Sequence, residues 1–291
     1  MTFAFAVALP LMYALWPTPK VDPSPRLPSP NGYDDFVKAG QLLSGTSEDY
    51  TVMTTDELRS LFATNQQPLR LARLGLGREC QVPAEDSMTY LDKHMTELPS
   101  LKRLAQFLSS EARLSEMEGR YDVAANIHLE VMRLGQASAR GGLMIDKLVG
   151  VAVENIGLTG LARMFTHLNT ESCRSTIKAL KELDADASSA LVYLKRDRQW
   201  GRKATGTSAL SAWIQSVLMT KMLRQTDRKF TARLAATDRH RRKLLLNLAS
   251  RAYELENGKR PLRAEELVPS LLRAVPKDPE TGTNLVLNSV P

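Results

Sequence analysis

The chain has 291 residues, of which 43% are hydrophobic and 24% charged, an ordinary balance that excludes a protein folding mainly in lipid. This length supports one large domain or two ordinary ones. The two cysteines, Cys80 and Cys173, are too few for a disulfide framework and form no Cys-x-x-Cys pair for zinc or redox chemistry. We expect two buried free thiols, with a single bridge as the alternative.

The charge is distributed unevenly along the chain. The net charge of +7 conceals a segment, residues 191–251, in which fifteen Lys or Arg residues accompany three acidic residues. Its local field matters more than the average, because exposed charges act over roughly 8–10 Å. Aromatic residues are scarce (6%), whereas Leu, Ala, Met and Arg are plentiful, and this mixture favours helices over sheets.

Residues 3–16 form an uncharged apolar segment at the N-terminus. As a helix the segment would rise about 21 Å, less than the roughly 30 Å core of a bilayer. The alternatives to an anchor are a cleaved signal peptide and an apolar element of the core. No basic residue precedes the segment and no small-x-small cleavage site follows it, whereas Tyr13 and Trp16 suit a membrane interface. We therefore predict an N-terminal membrane anchor in residues 1–16.

A proline-rich linker follows in residues 17–30. Six of its fourteen residues are proline, which excludes a helix and is typical of a semi-rigid polyproline spacer. Such a spacer suits a folded body held away from a surface. We therefore predict a single-pass membrane protein with a helical body in residues 31–256. Lys20 and Arg26 are too few to determine the orientation of the anchor in the membrane by the positive-inside rule. We expect the helical body on the extracytoplasmic side.

Residues that cap or open helices recur through the first part of the body. They are Asn31 before a helix ending near Leu43, the capping box of Thr54 and Glu57 before a helix over 56–65, and Pro68 at a first helical position, which starts a helix over 69–78. A weaker helix is predicted over 87–94. These signals predict an all-α fold, either an irregular helical bundle or a short array of αα-hairpins, with a short β or turn segment at the C-terminal tail.

Two amphipathic patterns, over 97–118 and 122–138, are separated by a short turn, which predicts an αα-hairpin. The turn at 119–124, Gly-Arg-Tyr-Asp-Val-Ala, resembles that of a tetratricopeptide repeat. The resemblance covers residues 104–136 and implies stacking against neighbouring helices. No second copy follows 34 residues later, so we predict one repeat-like hairpin within a larger bundle.

The segment 143–156 is apolar on almost every side, which predicts a buried helix. It is too short and too interrupted by charge to span a membrane, and its charges must be paired. We predict that Glu111, Arg140, Asp146 and Glu154 form a polar cluster. Two interpretations are open, a structural ion-pair network that sets the helix register and a polar pocket that serves an enzyme.

The rest of the body is predicted to be helical with several interruptions. Gly157 and Gly160 are expected to break the chain after the apolar helix. Further helices are predicted over 171–184 with Thr170 as its cap, over 190–201, over 208–224, and over 229–256 with a break near Thr237.

Two dense basic clusters, residues 195–203 and 239–243, supply candidate contacts to an anionic surface. These candidates are Arg196, Arg198, Trp200, Arg202, Arg241 and Arg242. Lipid head groups or an acidic partner would pair with the cations, and nucleic acid would in addition stack on Trp200. A solvated basic face is the third interpretation. Beside a membrane anchor, nucleic acid is the least expected partner.

The tail, residues 257–291, is predicted to hold a short helix near 264–272, a turn, and a strand over 284–288. Its Leu-Val-Pro and Pro-x-Asp-Pro-x-Thr-Gly stretches resemble the tails of uncharacterised bacterial membrane-anchored proteins and are distantly similar to the C-terminal region of type II secretion pseudopilins. The N-terminal signature of pseudopilins is absent, so the resemblance does not imply their function.

No phosphate-binding loop, dinucleotide fingerprint, zinc-protease motif or serine-hydrolase motif occurs in the sequence. The four histidines lack metal-ligand spacing, so no cofactor and no metal ion is predicted. The leading hypothesis is a membrane-anchored helical scaffold that binds another protein. The alternatives are an enzyme that uses the polar cluster and an anionic-surface binder that uses the basic segment.

Overall fold

A computed structural model describes residues 26–45, 52–206 and 220–287 of the chain. The predicted anchor, most of the linker and the greater part of the predicted helix over 208–224 lie outside the described residues.

The described residues form nine α-helices and two 3-10 turns, with no strand, which confirms the all-α fold. The helices are α1 (Gly32–Leu42), α2 (Thr55–Thr64), α3 (Gln66–Leu76), α4 (Met88–Met117), α5 (Tyr121–Ala137), α6 (Met144–Met164), α7 (Thr170–Ala185), α8 (Ala190–Ala204) and α9 (Thr220–Asn257). The 3-10 turns are Phe165–His167 and Ala264–Leu267.

The first two helices begin at the capping residues recognised in the sequence. The side-chain oxygen of Asn31 accepts a hydrogen bond from the Tyr33 amide at 3.2 Å. At α2 the Glu57 amide donates to the Thr54 hydroxyl at 3.4 Å, and the Thr54 amide donates to the Glu57 carboxylate at 2.8 Å. Both predicted caps are confirmed, because each depends only on residues two or three apart.

Other boundaries differ from the prediction. Pro68 is the third residue of α3 rather than its first. Asn169, not Thr170, caps α7, since its side-chain oxygen accepts the Ser172 amide at 2.8 Å. α9 continues through Thr237 without a break.

Helices α4, α5 and α6 pack against one another and form the centre of the core. On one side α1 packs on α3 and α4, and α2 packs on α4. On the other side α7 and α9 pack on each other, α9 contacts α6, and α7 contacts α5. The tail returns to the body through Leu267 and Leu272, which are both buried. Of the predicted strand over 284–288, the described residues form only a β-bridge between Asn284 and Lys277.

Helices α4 and α5 form the predicted hairpin. Gly119 in the turn has a φ of +76°, the left-handed conformation in which glycine ends helices. The weak helix and the first hairpin helix of the prediction are parts of one helix of 30 residues that contains Pro99. Buried Leu98 and Leu101 hold the flanking turns in the core, so the loss of one backbone hydrogen bond at Pro99 does not end the helix. The likeness to a tetratricopeptide repeat stays a prediction.

The predicted break at Gly157 and Gly160 is wrong, because both residues lie inside α6. A Cβ added at Gly157 would stand 2.5 Å from the carbonyl oxygen of His128 on α5. A Cβ at Gly160 would stand 2.0 Å from the imidazole ring of the same His128. The two glycines therefore allow α5 and α6 to approach closely and do not form a turn. The local sequence looks the same for a glycine at a helix contact and for a glycine that breaks a helix.

The stretch Met144–His167 is the one described helical segment whose length and hydropathy would suffice to cross a bilayer. Half of its most apolar window is buried inside the body. Within the described residues it packs on α4, α5, α8 and α9. These contacts are those of a core helix, as the apolar pattern of residues 143–156 predicts.

Both cysteines are free and buried, as expected. The Cys80 thiol donates to the carbonyl oxygen of Ala137 at 3.2 Å. Burial raises the pKa of Cys80 to about 12 and the pKa of Cys173 to about 11. Both thiols are therefore protonated at neutral pH, and neither is an activated nucleophile.

Candidate functional site

The four residues of the predicted polar cluster do not meet in one place. Glu111 pairs with Arg73 at 2.8 Å beside a surface pocket of about 340 Å³, whereas Asp146 and Glu154 are buried at separate points of α6. Arg140 is exposed and has no carboxylate within 4 Å among the described residues. Asp146 and Glu154 are eight residues apart on α6, about 12 Å of helix rise, and each is paired within a buried group of its own. The arrangement gives no support to an enzyme built on these four residues.

Asp146 belongs to a buried pair with His94. The distance from Asp146 Oδ1 to His94 Nε2 is 2.5 Å, and neither side chain has any exposed surface. The Tyr33 hydroxyl lies 3.4 Å from the other ring nitrogen. Burial by itself lowers the pKa of His94, but the hydrogen bond and charge of Asp146, with the charge of Glu97, raise it above its ordinary value.

This pair joins three helices of the core. His94 is on α4, Asp146 on α6 and Tyr33 on α1, so the contacts fix three helices relative to one another. In the sequence His94 stands isolated, because its partner lies 52 residues away and no local pattern marks such a contact.

Glu154 belongs to a second buried network, centred on Arg241 of α9. The Arg241 guanidinium is 2% exposed and pairs with Glu154, with Asp184 at 3.0 Å and with Asp238 at 2.7 Å. Burial lowers the pKa of Arg241, and the three carboxylates more than offset this and raise it. The neighbouring Arg242 pairs with Asp184 at 3.3 Å.

The placement of Arg241 and Arg242 corrects two of the predicted anionic-surface contacts. Arg239 pairs with Asp278 in the tail at 2.6 Å, so the guanidinium groups at 239, 241 and 242 all have partners inside the protein. We call Arg239, Arg241 and Arg242 the inner basic cluster. Its arginines join α9 to α6, α7 and the tail, and Arg241 is too deeply buried to meet an external anion.

The other basic cluster lies on α8, next to the first turns of α9. We call α8 together with residues 220–234 of α9 the basic arm. It contains ten basic and two acidic residues, a formal charge of +8. Arg198 pairs with Asp227 inside the arm, and Lys203 pairs with Asp86 at 2.9 Å.

Eight basic residues of the arm have no carboxylate within 4 Å among the described residues. Seven of them are exposed, and Arg196 is half-buried. The eight are Lys195, Arg196, Arg202, Lys221, Arg224, Arg228, Lys229 and Arg233.

The first turns of α9 have an inner face, which packs on the body, and an outer face on the opposite side of the helix. Phe230 and Leu234 share the inner face and are buried with Tyr193 of α8 and Val151 of α6. The five basic residues of 220–234 lie on the remaining face, at helical angles that spread over about half of the circumference. Met222 lies among them and is 66% exposed. The outer face therefore combines cations with an exposed apolar side chain.

Contacts at α8 hold the arm against the body. The Trp200 indole N–H donates to the carbonyl oxygen of Glu85 at 2.7 Å. The Met144 amide donates to Asp197 at 3.2 Å, which places an α8 carboxylate at the start of α6. Trp200 therefore attaches the arm to the body through the N–H at the edge of its ring.

Of the six predicted anionic-surface residues, Arg196 and Arg202 are unpaired within the described residues. Arg198 and Trp200 have partners in the arm and the body, and Arg241 and Arg242 are in the inner basic cluster. The cations of 220–234 were not predicted as individual candidates. The sequence indicated them only through the number of charges in the whole segment. They are spaced along a helix and do not form a run of adjacent basic residues.

Comparison of the chain with protein-family models, with curated proteins and with solved structures finds no match.

Proposed function

We propose that this protein works at a membrane surface, where the basic arm docks on anionic lipid head groups and the predicted N-terminal segment provides the tether. The observation that carries the proposal is the outer face of the arm, with its unpaired cations and the exposed Met222. A basic residue near an anionic leaflet contributes about 1 kcal/mol to binding. An exposed apolar side chain among the cations suits the boundary between head groups and acyl chains.

The shape of the arm also favours a surface over a small ligand. Its cations lie on the convex outside of a helix rather than around a cavity. An extended anionic surface can contact many of them at once, whereas a single phosphate or carboxylate would meet only one or two. Nucleic acid offers a similar surface, but Trp200, the side chain predicted to stack on a base, is only half-exposed and has its indole N–H bound to the carbonyl oxygen of Glu85.

The test measures partition of the full-length protein into phosphatidylcholine vesicles with and without 30% phosphatidylglycerol. The arm variant replaces Arg224, Arg228 and Arg233 by Gln, which keeps helix propensity and removes three charges. The matched control replaces the exposed Arg70, Lys102 and Arg133 of α3, α4 and α5 by Gln. We expect the arm variant to bind anionic vesicles roughly a hundredfold more weakly than the wild type, and the control to bind within severalfold of it.

Neutral vesicles separate the arm from the tether. Binding to pure phosphatidylcholine that is independent of salt and unaffected by the arm variant reports insertion of the apolar N-terminal segment. The increment that phosphatidylglycerol adds reports the arm, and it should diminish from 50 to 500 mM salt. An equal loss in the arm variant and the control would reject the docking role, and tighter binding to a single-stranded oligonucleotide than to anionic vesicles would reassign the arm to nucleic acid.

A further inference from the structure

A groove of about 780 Å³ lies between α7, α9 and the C-terminal tail, on a different part of the molecule from the basic arm. Its floor is apolar. Ile177 of α7, Leu245 of α9 and Leu271 of the tail are buried there, and Val275 is partly buried beside them. The floor thus offers contact to apolar side chains of a ligand.

Hydrogen bonds hold the tail in place as a wall of the groove. The Lys181 ammonium of α7 donates to the carbonyl oxygen of Leu271 at 2.7 Å. The Arg242 guanidinium of α9 donates to the carbonyl oxygen of Lys277 at 2.9 Å. Because both helices bind the tail backbone, the groove exists before a ligand arrives, which lowers the entropy cost of binding.

Three cations occupy the rim. Lys178, Arg273 and Lys277 are exposed, and among the described residues none has a carboxylate within 4 Å. Two carboxylates also line the groove, and one of them, Asp184, is already shared by two arginines of the inner basic cluster. Burial, and the charge of Arg273 after it, lowers the pKa of Lys181, which agrees with an excess of positive charge at this rim.

We infer that this groove binds an acidic, partly apolar peptide segment of a partner protein. Carboxylates of the segment would pair with Lys178, Arg273 and Lys277, and its apolar side chains would contact the floor. The volume lies in the usual range of ligand sites. Within the part of the chain that the structure describes, no aromatic side chain lines the groove, so it offers no surface on which a nucleic-acid base could stack.

The experiment uses fluorescein-labelled octapeptides and the full-length protein, with binding followed by fluorescence anisotropy at low salt. The probes alternate Glu with Leu, Lys with Leu, or Glu with Ser. We expect the Glu–Leu peptide to bind at least tenfold more tightly than the other two, because it alone matches both the rim and the floor. A benzophenone in place of one leucine should cross-link to residues of α7, α9 or 270–277, as mapped by mass spectrometry.

Two variants locate the binding on the protein. Lys178→Gln with Arg273→Gln should weaken binding of the Glu–Leu peptide at least tenfold. The matched control, Lys102→Gln with Arg133→Gln, and the arm variant should both remain within about threefold of the wild type. The arm variant is included because an acidic peptide could also bind the basic arm, so its result distinguishes this inference from the proposed docking on lipid.

Several outcomes would overturn the inference. One is a loss of peptide binding in the arm variant but not in the Lys178 and Arg273 variant. Others are equal affinity for the Glu–Leu and Glu–Ser peptides, or no binding of any of the three. Displacement of the peptide by millimolar inorganic phosphate or by laurate at equal ionic strength would assign the groove to a small anion or a fatty acid instead.

Discussion

The inner basic cluster and the basic arm belong partly to the same helix, yet their charges face opposite environments. Residues 239–243 form the denser run of charge in the sequence, and Arg241 within it is buried among three carboxylates. The arm has its cations spread over two helices, and eight of them are unpaired within the described residues. Local charge density therefore does not indicate which basic residues are free to bind a partner.

The difference follows from what lies opposite each stretch of α9. Around Arg241 the neighbouring helices α6 and α7 present Glu154 and Asp184. In residues 220–234 an apolar stripe with Phe230 and Leu234 packs on the body, and α8 supplies more cations than carboxylates. Carboxylates from neighbouring helices thus make the inner basic cluster a structural contact, whereas most cations of the basic arm remain unpaired within the described residues.

The largest expected effect comes from removing the charge of the inner cluster. Arg241→Ala leaves the buried Glu154 without its partner, and breaking a buried ion pair in this way costs about 3–5 kcal/mol of the free energy of unfolding. The same substitution in the arm, Arg224→Ala, should change that free energy by no more than about 0.5 kcal/mol. Urea unfolding followed by circular dichroism at pH 7 would measure both.

A second substitution identifies the cause of that loss. Adding Glu154→Gln to Arg241→Ala should recover part of the stability, because a neutral amide is less costly to bury than an unpaired carboxylate. If Arg241→Ala and Arg224→Ala unfold at the same urea concentration, the contrast between the inner cluster and the arm is wrong.

Replacing a glycine by alanine should lower the stability of the fold at a core position and raise it at a position in the arm. Gly157→Ala places a methyl group 2.5 Å from the His128 carbonyl oxygen and should destabilise the fold by about 1–3 kcal/mol through overpacking. At Gly201 of α8 an added Cβ would meet no neighbouring group within 4 Å among the described residues, so Gly201→Ala should stabilise by about 0.5–1 kcal/mol through helix propensity. Thermal unfolding of the two variants would compare them, and destabilisation by both would contradict the assignment of α8 to an open arm.

The smallest expected effects are in the pH dependence of stability. The pKa of His94 is raised above 6.5, so its contribution is full below about pH 6.5 and is lost as pH rises through the folded-state pKa. Burial, with the charge of Lys243, lowers the pKa of His240 beside the inner cluster, so its contribution is present above about pH 6.5 and is lost as pH falls toward the folded-state pKa.

Urea unfolding from pH 5.5 to 8.5 would separate the two histidines. Relative to the wild type, His94→Gln should lose more stability at pH 5.5 than at pH 8.5, and His240→Gln the reverse. The groups that face His94 are Asp146, Glu97, Tyr33 and Tyr90, and burial raises the pKa of both tyrosines. Parallel pH profiles for both variants would contradict these pKa directions.

Most helices of the body were predictable because their signals are short-range. The caps at Asn31 and Thr54 join residues two or three positions apart, and the turn at Gly119 needs only a conformation that glycine favours. The error at Gly157 has a physical cause, because a glycine that ends a helix and a glycine that admits a neighbouring helix have the same sequence signature. The candidate site was partly predictable, since the count of charges pointed to α8 and α9 but not to their exposed face.

Composition and neighbours within one or two turns were enough to specify the helical class, the caps at Asn31 and Thr54, the burial of both cysteines and the excess of positive charge in 191–251. Which of those charges are free depends instead on how the helices pack. Arg241 meets Glu154 across 87 positions and His94 meets Asp146 across 52, and such pairs form only when helices pack. Most cations of the basic arm stay exposed for the same reason, since only two of the ten have a carboxylate within 4 Å among the described residues.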